Sequence, residues 1–256
     1  MKTKPTVGIF SFTSCGGCQQ QILNMEDSLL EMAHQIDLRS FHLLNEKNAV
    51  DGKFDIAFIE GAISLPKELE ELKKIRDNTK FLVAMGACAT FGGIPHIRNI
   101  YEEKKVEEMV YHDETIVDSI PVSGIDSHVK VDCYLQGCPM FESEFMFVLK
   151  SLLAGKIPRI ESKPVCSECR SRNFRCMFNE VPCLGPVTLA GCNALCMENG
   201  YPCEGCRGPT EDSNLETEIA LFKKHGMSAE EIRQRLKKFA GGSKQLTDEN
   251  LRESGL

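Results

Sequence analysis

Residues 5–18 read PTVGIFSFTSCGGC. The first part of this segment is apolar, with Val7, Ile9 and Phe10, and is typical of a buried β-strand. A turn rich in glycine and cysteine follows, and residues 19–33 have apolar side chains near helical spacing, which predicts one helix. A strand, a tight turn and a helix in this order form the first unit of an α/β fold.

The alternation of strand and helix continues along the chain. Further strands are predicted over residues 36–42, 54–60, 80–85 and about 129–134. Helices are predicted from Pro66 to about Arg76 and over residues 140–153. Strands that alternate with helices indicate a parallel sheet covered by helices on both faces, so the predicted fold class is α/β.

Cysteines follow the predicted strands at the points where these strands end. Cys15 follows the first strand, Cys88 the fourth and Cys138 the last, while Glu60 closes the third. Because ligands of parallel sheets bind beyond the carboxyl ends of the strands, we expect these cysteines, with Cys18, to lie together. The alternative is ordinary burial, because free cysteine is often a core residue. The repeated position at strand ends favours a binding site.

Composition excludes several classes of function. The chain has 256 residues, a net charge of −7 and 42% hydrophobic residues, which is typical of a soluble folded protein and not of a basic nucleic-acid binder. No apolar run reaches the roughly 18 residues of a membrane span, and the N-terminus lacks the apolar core of a signal peptide. We therefore expect a cytoplasmic protein. Its 13 cysteines are then not disulfides, because that compartment is reducing.

The character of the sequence changes near residue 156, where cysteine, glycine and proline begin to dominate. This composition predicts a small irregular domain that is organised by its ligands. The remaining residues are polar and prone to form helices; Ser228 and Glu231 form a capping box, and partial disorder is expected from Gly241 onward. The predicted domains are residues 1–155, 156–210 and 211–256.

Twelve of the cysteines form three groups of four, and cysteine thiolates in fours hold either zinc or iron–sulfur clusters. The first group is Cys15, Cys18, Cys88 and Cys138. The second group is Cys166, Cys169, Cys176 and Cys183, and the third is Cys192, Cys196, Cys203 and Cys206. Cys133 is left over. We interpret Cys138 as the ligand of this pair because a proline follows it, as in some iron–sulfur motifs.

Zinc is the alternative to iron–sulfur clusters in these groups. Structural zinc sites usually take two close cysteine pairs from short hairpins. Only two CxxC pairs occur in the C-terminal part, and the first group is scattered over more than a hundred residues. The spacing therefore favours iron–sulfur clusters and a role in electron transfer.

Several motifs occur in the order found in the small subunits of nickel–iron hydrogenases, and the chain resembles this family over about residues 5–209. The motifs of the first part are Thr13–Gln19 (TSCGGCQ), Ile59–Gly61, Gly86–Ala89, Gly92–Gly93 and Gly137–Pro139. Those of the second part are Cys183–Thr188 (CLGPVT), Gly191–Cys192 and Pro202–Gly208 (PCEGCRG). Through Pro164–Arg170 (PVCSECR) and Gly191–Cys196 (GCNALC), the chain is most similar to the cytoplasmic, cofactor-linked group and its sulfhydrogenase delta subunits.

The resemblance implies a flavodoxin-like first domain and three 4Fe-4S clusters that relay electrons. It implies that the first group of cysteines holds the proximal cluster, nearest the nickel–iron centre of a separate large subunit; we call these the proximal set. The second group would then hold the distal cluster and the third the medial cluster (the distal set and the medial set). The expected partners are the NiFe large subunit and a flavin-containing or ferredoxin-like electron-transfer subunit. No catalytic residue is expected in this chain.

Two departures from the periplasmic relatives bear on these assignments. Cys166 stands where those relatives have a histidine. Cys196 adds a fourth medial ligand where they have three. The medial cluster is therefore expected to have four irons and a lower potential than a three-iron cluster.

The 20 kDa subunit of NADH–ubiquinone oxidoreductase has a similar proximal motif, but with adjacent cysteines and without the C-terminal eight. The spacing of Cys15 and Cys18 therefore favours a hydrogenase; the alternative is an iron–sulfur relay subunit of a non-hydrogenase reductase complex. Glu60 is expected beside the proximal cluster, either to tune it or as an ordinary strand-end carboxylate. His96 and His128 lack a metal-like spacing, and we interpret them as structural.

Overall fold

The computed structural model of the chain describes residues 4–44, 51–110 and 118–256. The first three residues, which belong to the N-terminus that we expect to lack a signal peptide, lie outside these ranges. The chain divides into two compact units, Met1–Pro158 and Arg159–Leu256. The domain boundaries predicted from the sequence remain a proposal.

In the described residues of the first unit, five strands form one sheet. They are β1 (Thr6–Ser11), β2 (Asp37–Phe41), β3 (Phe54–Glu60), β4 (Thr79–Met85) and β5 (Cys133–Leu135). Their spatial order is β2-β1-β3-β4-β5, and every neighbouring pair is parallel. This is the strand order of flavodoxin-like sheets, and it confirms the predicted α/β fold class.

Helices and core side chains cover this sheet. The helices are α1 (Gly17–Leu23), α2 (Asp27–Gln35), α3 (Pro66–Asp77), α4 (Gly86–Phe91), α5 (Glu103–Val110) and α6 (Glu142–Leu153). Phe10 of β1 lies edge-on to Phe54 of β3, with 5.2 Å between the ring centroids. Phe58 of β3 packs on Phe145 of α6 at 4.8 Å. Strands β1, β3 and β4 bury most of their residues, as strands covered on both faces do.

The single helix predicted over residues 19–33 is wrong, because the structure has α1 and α2 there. The turn between them includes Asn24, which ends α1, and Glu26 with φ 41°. Asparagine favours helix ends because its short polar side chain competes with helical backbone hydrogen bonds. The apolar spacing did not reveal the break because Met25 and Met32, on either side of it, are both buried.

The last strand is shorter than predicted: β5 has three residues instead of spanning residues 129–134. Asp132 precedes it, and its Oδ2 accepts the N–H of Leu82 in β4 at 2.9 Å and the guanidinium of Arg76 at 2.7 Å. The carboxylate stands in for a backbone carbonyl as the partner of that N–H. Regular pairing with β4 therefore begins only after Asp132.

The second unit contains short helices joined by irregular segments. Its helices are α7 (Val165–Ser171), α8 (Leu195–Glu198), α9 (Leu215–Lys224), α10 (Ala229–Ala240) and α11 (Asp248–Glu253). The predicted capping box at the start of α10 is confirmed. The hydroxyl of Ser228 accepts the N–H of Glu231 at 3.3 Å, and the Glu231 carboxylate accepts the N–H of Ser228 at 2.7 Å.

The disorder expected from Gly241 onward is not what the structure has there. A short 3₁₀ turn, Lys244–Leu246, and then α11 follow α10. Leu246 and Leu251 are almost fully buried, and Lys237 Nζ of α10 donates to Asp248 Oδ1 at 2.6 Å. Two well-spaced leucines anchor a segment whose composition is otherwise polar.

Candidate functional site

Four cysteine thiols meet at the carboxyl edge of the sheet. Cys15 lies in the turn after β1, Cys18 in the first turn of α1, Cys88 on α4 directly after β4, and Cys138 in the turn after β5. Burial, then the charge of Cys138, raises the pKa of Cys88 to about 12, and the charge of Cys15 adds to this rise. The pKa of Cys18 is raised by burial first, with contributions from Cys88 and Cys138. The structure thus brings together the proximal set, although its members are distant in sequence.

Gly86 makes room for these thiols. Its φ is +86°, and a Cβ at this position would lie only 2.5 Å from the Sγ of Cys18. A larger residue would be strained in its backbone and would displace the sulfur. The backbone at the end of β4 is therefore shaped to approach whatever the four thiols hold.

Glu60 anchors the helix that carries Cys18. Its side chain is 2% exposed; Oε1 accepts the N–H of Cys18 at 2.9 Å, and Oε2 accepts the side-chain amide of Gln19 at 2.9 Å. The residue before α1, Gly16, has no side chain to cap the helix. The carboxylate from the end of β3 therefore satisfies an N–H of the first turn that would otherwise lack a partner within the helix. Its predicted effect on the cluster remains a prediction.

Cys133 and the two histidines were expected to be structural. Cys133 lies at the start of β5 opposite Val83 and is buried. Burial raises its pKa to about 11, and the charges that add to this rise come from Glu144 and Asp132 rather than from the proximal set. The ring Nε2 of His128 lies 2.7 Å from the hydroxyl oxygen of Ser123, which ties the 3₁₀ turn to the preceding segment.

The second unit holds the other eight cysteines. Cys166 and Cys169 lie on α7 and Cys196 lies on α8. The irregular segments carry Cys176, Cys183, Cys192, Cys203 and Cys206. Cys169, Cys183 and Cys203 are buried, whereas Cys176 is exposed.

The distal set gathers around α7. Burial raises the pKa of Cys166 to about 11, and the charges of Cys183, Cys169 and Cys176 add to this in that order. A Cβ on Gly185 would lie 3.3 Å from the Sγ of Cys166 and 3.5 Å from that of Cys183. The absence of a side chain there leaves space between two thiols of the set.

The medial set adjoins the distal set. Burial raises the pKa of Cys196, and the charges of Cys206 and Cys192 contribute next. The pKa of Cys203 is also raised, first by burial, with contributions from Cys183 and Cys206. The backbone N–H of Cys203 donates to the Sγ of Cys183 at 3.2 Å, so a member of one set contacts a member of the other.

Acidic residues near these cysteines were missed at the level of sequence. Glu168 and Glu204 lie inside the two CxxC pairs and make side-chain bonds to neighbouring segments. Glu218 of α9 is 2% exposed; burial raises its pKa to about 8, and its charge contributes to the raised pKa values of Cys166 and Cys183. An acidic residue within a CxxC pair, or on the buried face of a helix, is the signal that could have identified them.

The thiol sets fit a cluster better than a single ion. Among the residues that the structure describes, no three His, Cys, Asp or Glu side chains converge closely enough to hold one metal ion. A four-iron cluster is larger than an ion and takes one thiolate at each iron corner. The raised pKa values mean that the free thiols are protonated at neutral pH, so binding releases protons.

Comparison with known proteins defines the class first. Residues 15–152 match the model of the family described as NADH ubiquinone oxidoreductase, 20 Kd subunit. The chain is 34% identical over 237 residues to sulfhydrogenase 2 subunit delta of Pyrococcus furiosus, which covers 91% of this chain and 98% of the relative. It is 27% identical over 270 residues to the iron–sulfur subunit of the F420-non-reducing hydrogenase of Archaeoglobus profundus, which covers 81% and 84%.

A solved structure agrees with these relatives. The crystal structure of an NAD+-reducing NiFe hydrogenase in the H2-reduced state contains a chain that matches with a TM-score of 0.55 at 29% identity, over 62% of this chain and 96% of that chain. The chain therefore belongs to the 20 Kd subunit family and, within it, to the small subunits of NiFe hydrogenases, which confirms the resemblance. In the described part of the chain, no helix is both long and apolar enough to cross a membrane.

Proposed function

We propose that this chain is the electron-transfer subunit of a cytoplasmic NiFe hydrogenase and binds three 4Fe-4S clusters. The observation that carries the proposal is the meeting of Cys15, Cys18, Cys88 and Cys138 at the carboxyl edge of the sheet. Chance would not bring together four thiols from four separate positions in the chain at the edge where such sheets bind ligands. The relatives are named as hydrogenase subunits, and one is named as an iron–sulfur subunit.

Each set of thiols has one role in this proposal. The proximal set binds the cluster nearest the nickel–iron centre of the large subunit. The medial set binds the next cluster, and the distal set, whose Cys176 is exposed, binds the cluster nearest the electron partner. The contact between Cys203 and Cys183 supports adjacent medial and distal sites.

Clusters of this kind, when bound, exchange one electron at a time without a change in their ligands. The chain's own residues supply the thiolates, hold them at fixed positions and exclude water from part of each site. Glu60 fixes the N-terminal turn of α1 and so the position of Cys18. No residue of this chain makes or breaks a bond of the substrate in this proposal.

The partners follow from this role. One is the NiFe large subunit, and the other is a flavin-containing or ferredoxin-like subunit. The chain acts in the cytoplasm. Residues 1–155 form the proximal-cluster domain, residues 156–210 the two-cluster domain, and residues 211–256 a helical extension.

The test is metal and partner analysis of the native complex. A tagged form of the chain is purified without oxygen from cells that produce its natural partners. We expect a nickel-containing partner chain to co-purify. The separated chain should hold about twelve iron and twelve acid-labile sulfide, from four of each per cluster.

Three results would contradict parts of this proposal. About eight iron per chain would remove one of the three sites. Zinc without sulfide would overturn the electron-transfer role. A complex with full iron and sulfide but without a nickel-containing chain would support a relay for a different reductase.

A further inference from the structure

The backbone between Cys192 and Cys196 is strained. Asn193 has φ 54° and Ala194 has φ 52°, two consecutive left-handed residues of which neither is glycine. Side chains disfavour this conformation, and it persists only where the surroundings enforce it. Ala194 is fully buried and leads directly into α8, which carries Cys196. The direction in which α8 leaves Cys192 therefore depends on this strained pair.

Two charged side chains of the preceding cysteine segment hold the strained pair in place. Glu168 lies on α7 between Cys166 and Cys169; its Oε1 accepts the N–H of Gly191 at 2.8 Å, and its Oε2 accepts the N–H of Ala194 at 3.1 Å. The guanidinium of Arg172, directly after α7, donates to the carbonyl of Asn193 at 2.7 Å and to Glu198 of α8 at 2.9 Å. One helix thus binds N–H groups and a carbonyl of the same turn. We call Glu168 and Arg172 the α7 clamp.

We propose that Glu168, assisted by Arg172, is a positioning residue for the medial cluster. The clamp holds Asn193 and Ala194 left-handed, so that Cys192 and Cys196 face the same cluster. This inference rests on the proposed function, because it assumes that the medial set binds a cluster. It adds that the medial site is set by a helix whose own cysteines belong to the distal set.

The charge of Glu168 gives the clamp a second effect. Its Oε2 lies 4.0 Å from the Sγ of Cys192, whereas the buried guanidinium of Arg207 acts on the same thiol with the opposite sign. A nearby negative charge disfavours the addition of an electron. Glu168 therefore lowers the potential of the medial cluster, a consequence that a purely structural role would not have.

The experiment separates position from charge with two substitutions in the full chain. Glu168→Gln keeps the size of the side chain and one acceptor oxygen but removes the charge. We expect a loss of medial cluster, with iron falling toward about eight per chain, and a higher midpoint potential in the medial clusters that remain. Adding Asn193→Gly, at an exposed residue whose strain glycine relieves, should restore the iron content but leave the potential raised.

The second variant and the control guard against damage to the fold. Arg172→Gln should also lower medial iron, should be rescued by Asn193→Gly, and should not raise the potential. Glu216→Gln, at an exposed glutamate of α9, should change neither quantity. Occupancy is followed by iron and sulfide analysis, and potentials are followed by electron paramagnetic resonance during a redox titration.

The outcomes that overturn the inference are distinct from those that overturn the proposed function. Full iron and an unchanged medial potential in Glu168→Gln would refute the clamp. Loss of the distal and medial clusters together, without rescue by Asn193→Gly, would mean that Glu168 only supports α7. A wild-type chain with zinc or without iron would instead overturn the proposed function, and the clamp with it.

Discussion

Cys133 and Cys138 are close in sequence, but the sheet gives them different surroundings. Cys133 is part of β5 and is buried beside Glu144 and Asp132. Cys138 lies beyond the end of the strand, where its charge acts on Cys88 and Cys18. Position along a strand, and not proximity in sequence, separates a core residue from a candidate ligand.

This difference predicts opposite results for two matched substitutions. Cys138→Ser should lose the proximal cluster, because a hydroxyl is a poor replacement for a thiolate on iron. Cys133→Ser should keep all clusters and lower stability only modestly, by about 1 kcal/mol, because it buries a hydroxyl in place of a thiol. Iron and sulfide content measures the first effect and denaturant unfolding the second. The assignment would be reversed if Cys133→Ser lost the iron and Cys138→Ser kept it.

Cys196 is the residue at which the medial set exceeds the three ligands of the periplasmic pattern. It is the second residue of α8, and the charges of Cys206 and Cys192 act on it. A fourth thiolate can hold the iron corner that a three-ligand site leaves empty, and added anionic ligation lowers the potential. The neighbouring thiols support this role for Cys196.

Removing this thiolate should change the type of cluster. Cys196→Ala is expected to convert the medial site to a three-iron cluster with a higher midpoint potential. Electron paramagnetic resonance of the oxidised protein should then show the signal of a three-iron cluster, which wild type should lack. An intact four-iron medial cluster at unchanged potential would mean that Cys196 is not a ligand. Cys133→Ala is the matched control, because it removes a thiol outside the three sets.

At the scale of elements, α10 supports the cysteine-bearing loops. The guanidinium of Arg235 donates to the carbonyl of Pro182, next to Cys183, at 3.1 Å and to the carboxylate of Glu204, next to Cys203, at 2.7 Å. Lys238, one turn further along, donates to the other oxygen of Glu204 at 3.2 Å. A helix outside the cysteine-rich segment thus holds two loops that carry ligands of different sets.

Loss of this support should weaken the second unit. Arg235→Gln is expected to lower the free energy of unfolding by about 1 to 2 kcal/mol, because it breaks two bonds of a partly buried charged group. Lys238→Gln, whose side chain is more exposed, should cost under about 1 kcal/mol. Denaturant titration followed by the visible absorption of the clusters measures both. Equal midpoints for the two variants would contradict a special role for Arg235.

At the scale of the whole molecule, the fold was predictable because its signals are regular. Nearly continuous apolar runs marked β1, β3 and β4, and the geometry of a parallel sheet then placed Cys15, Cys88 and Cys138 at one edge. The alternation of strand and helix identified the fold class without reference to any relative. The resemblance added the assignment of the clusters, and similarity to the named relatives confirmed the family.

The remaining features had no periodic signal. The break at Asn24 was hidden because apolar residues continue across it, and the order of the C-terminal tail depends on the burial of Leu246 and Leu251. The contacts of Glu168 and Arg235 join side chains to the backbone of irregular loops. Such contacts depend on how the loops fold, so spacing in the sequence could not predict them.

The dispersed origin of the proximal set has a consequence for biogenesis. Its four thiols come from segments that meet only after β1, β3, β4 and β5 have paired. The eight thiols of the second unit all come from one short stretch, Cys166–Cys206. Closing a long loop costs more entropy than closing a short one, and metal binding can itself drive the folding of a small ligand-rich domain.

Maturation should therefore have an order in time. When the denatured chain is diluted without oxygen into iron and sulfide, we expect the medial and distal signals to develop before the proximal signal. Samples frozen at intervals and measured by electron paramagnetic resonance would give the lag, and a proximal signal that develops first would contradict it. A cell that delivers clusters to this protein would then have two substrates in succession: a nascent segment that folds around its cargo, and a finished sheet whose docking edge is already built.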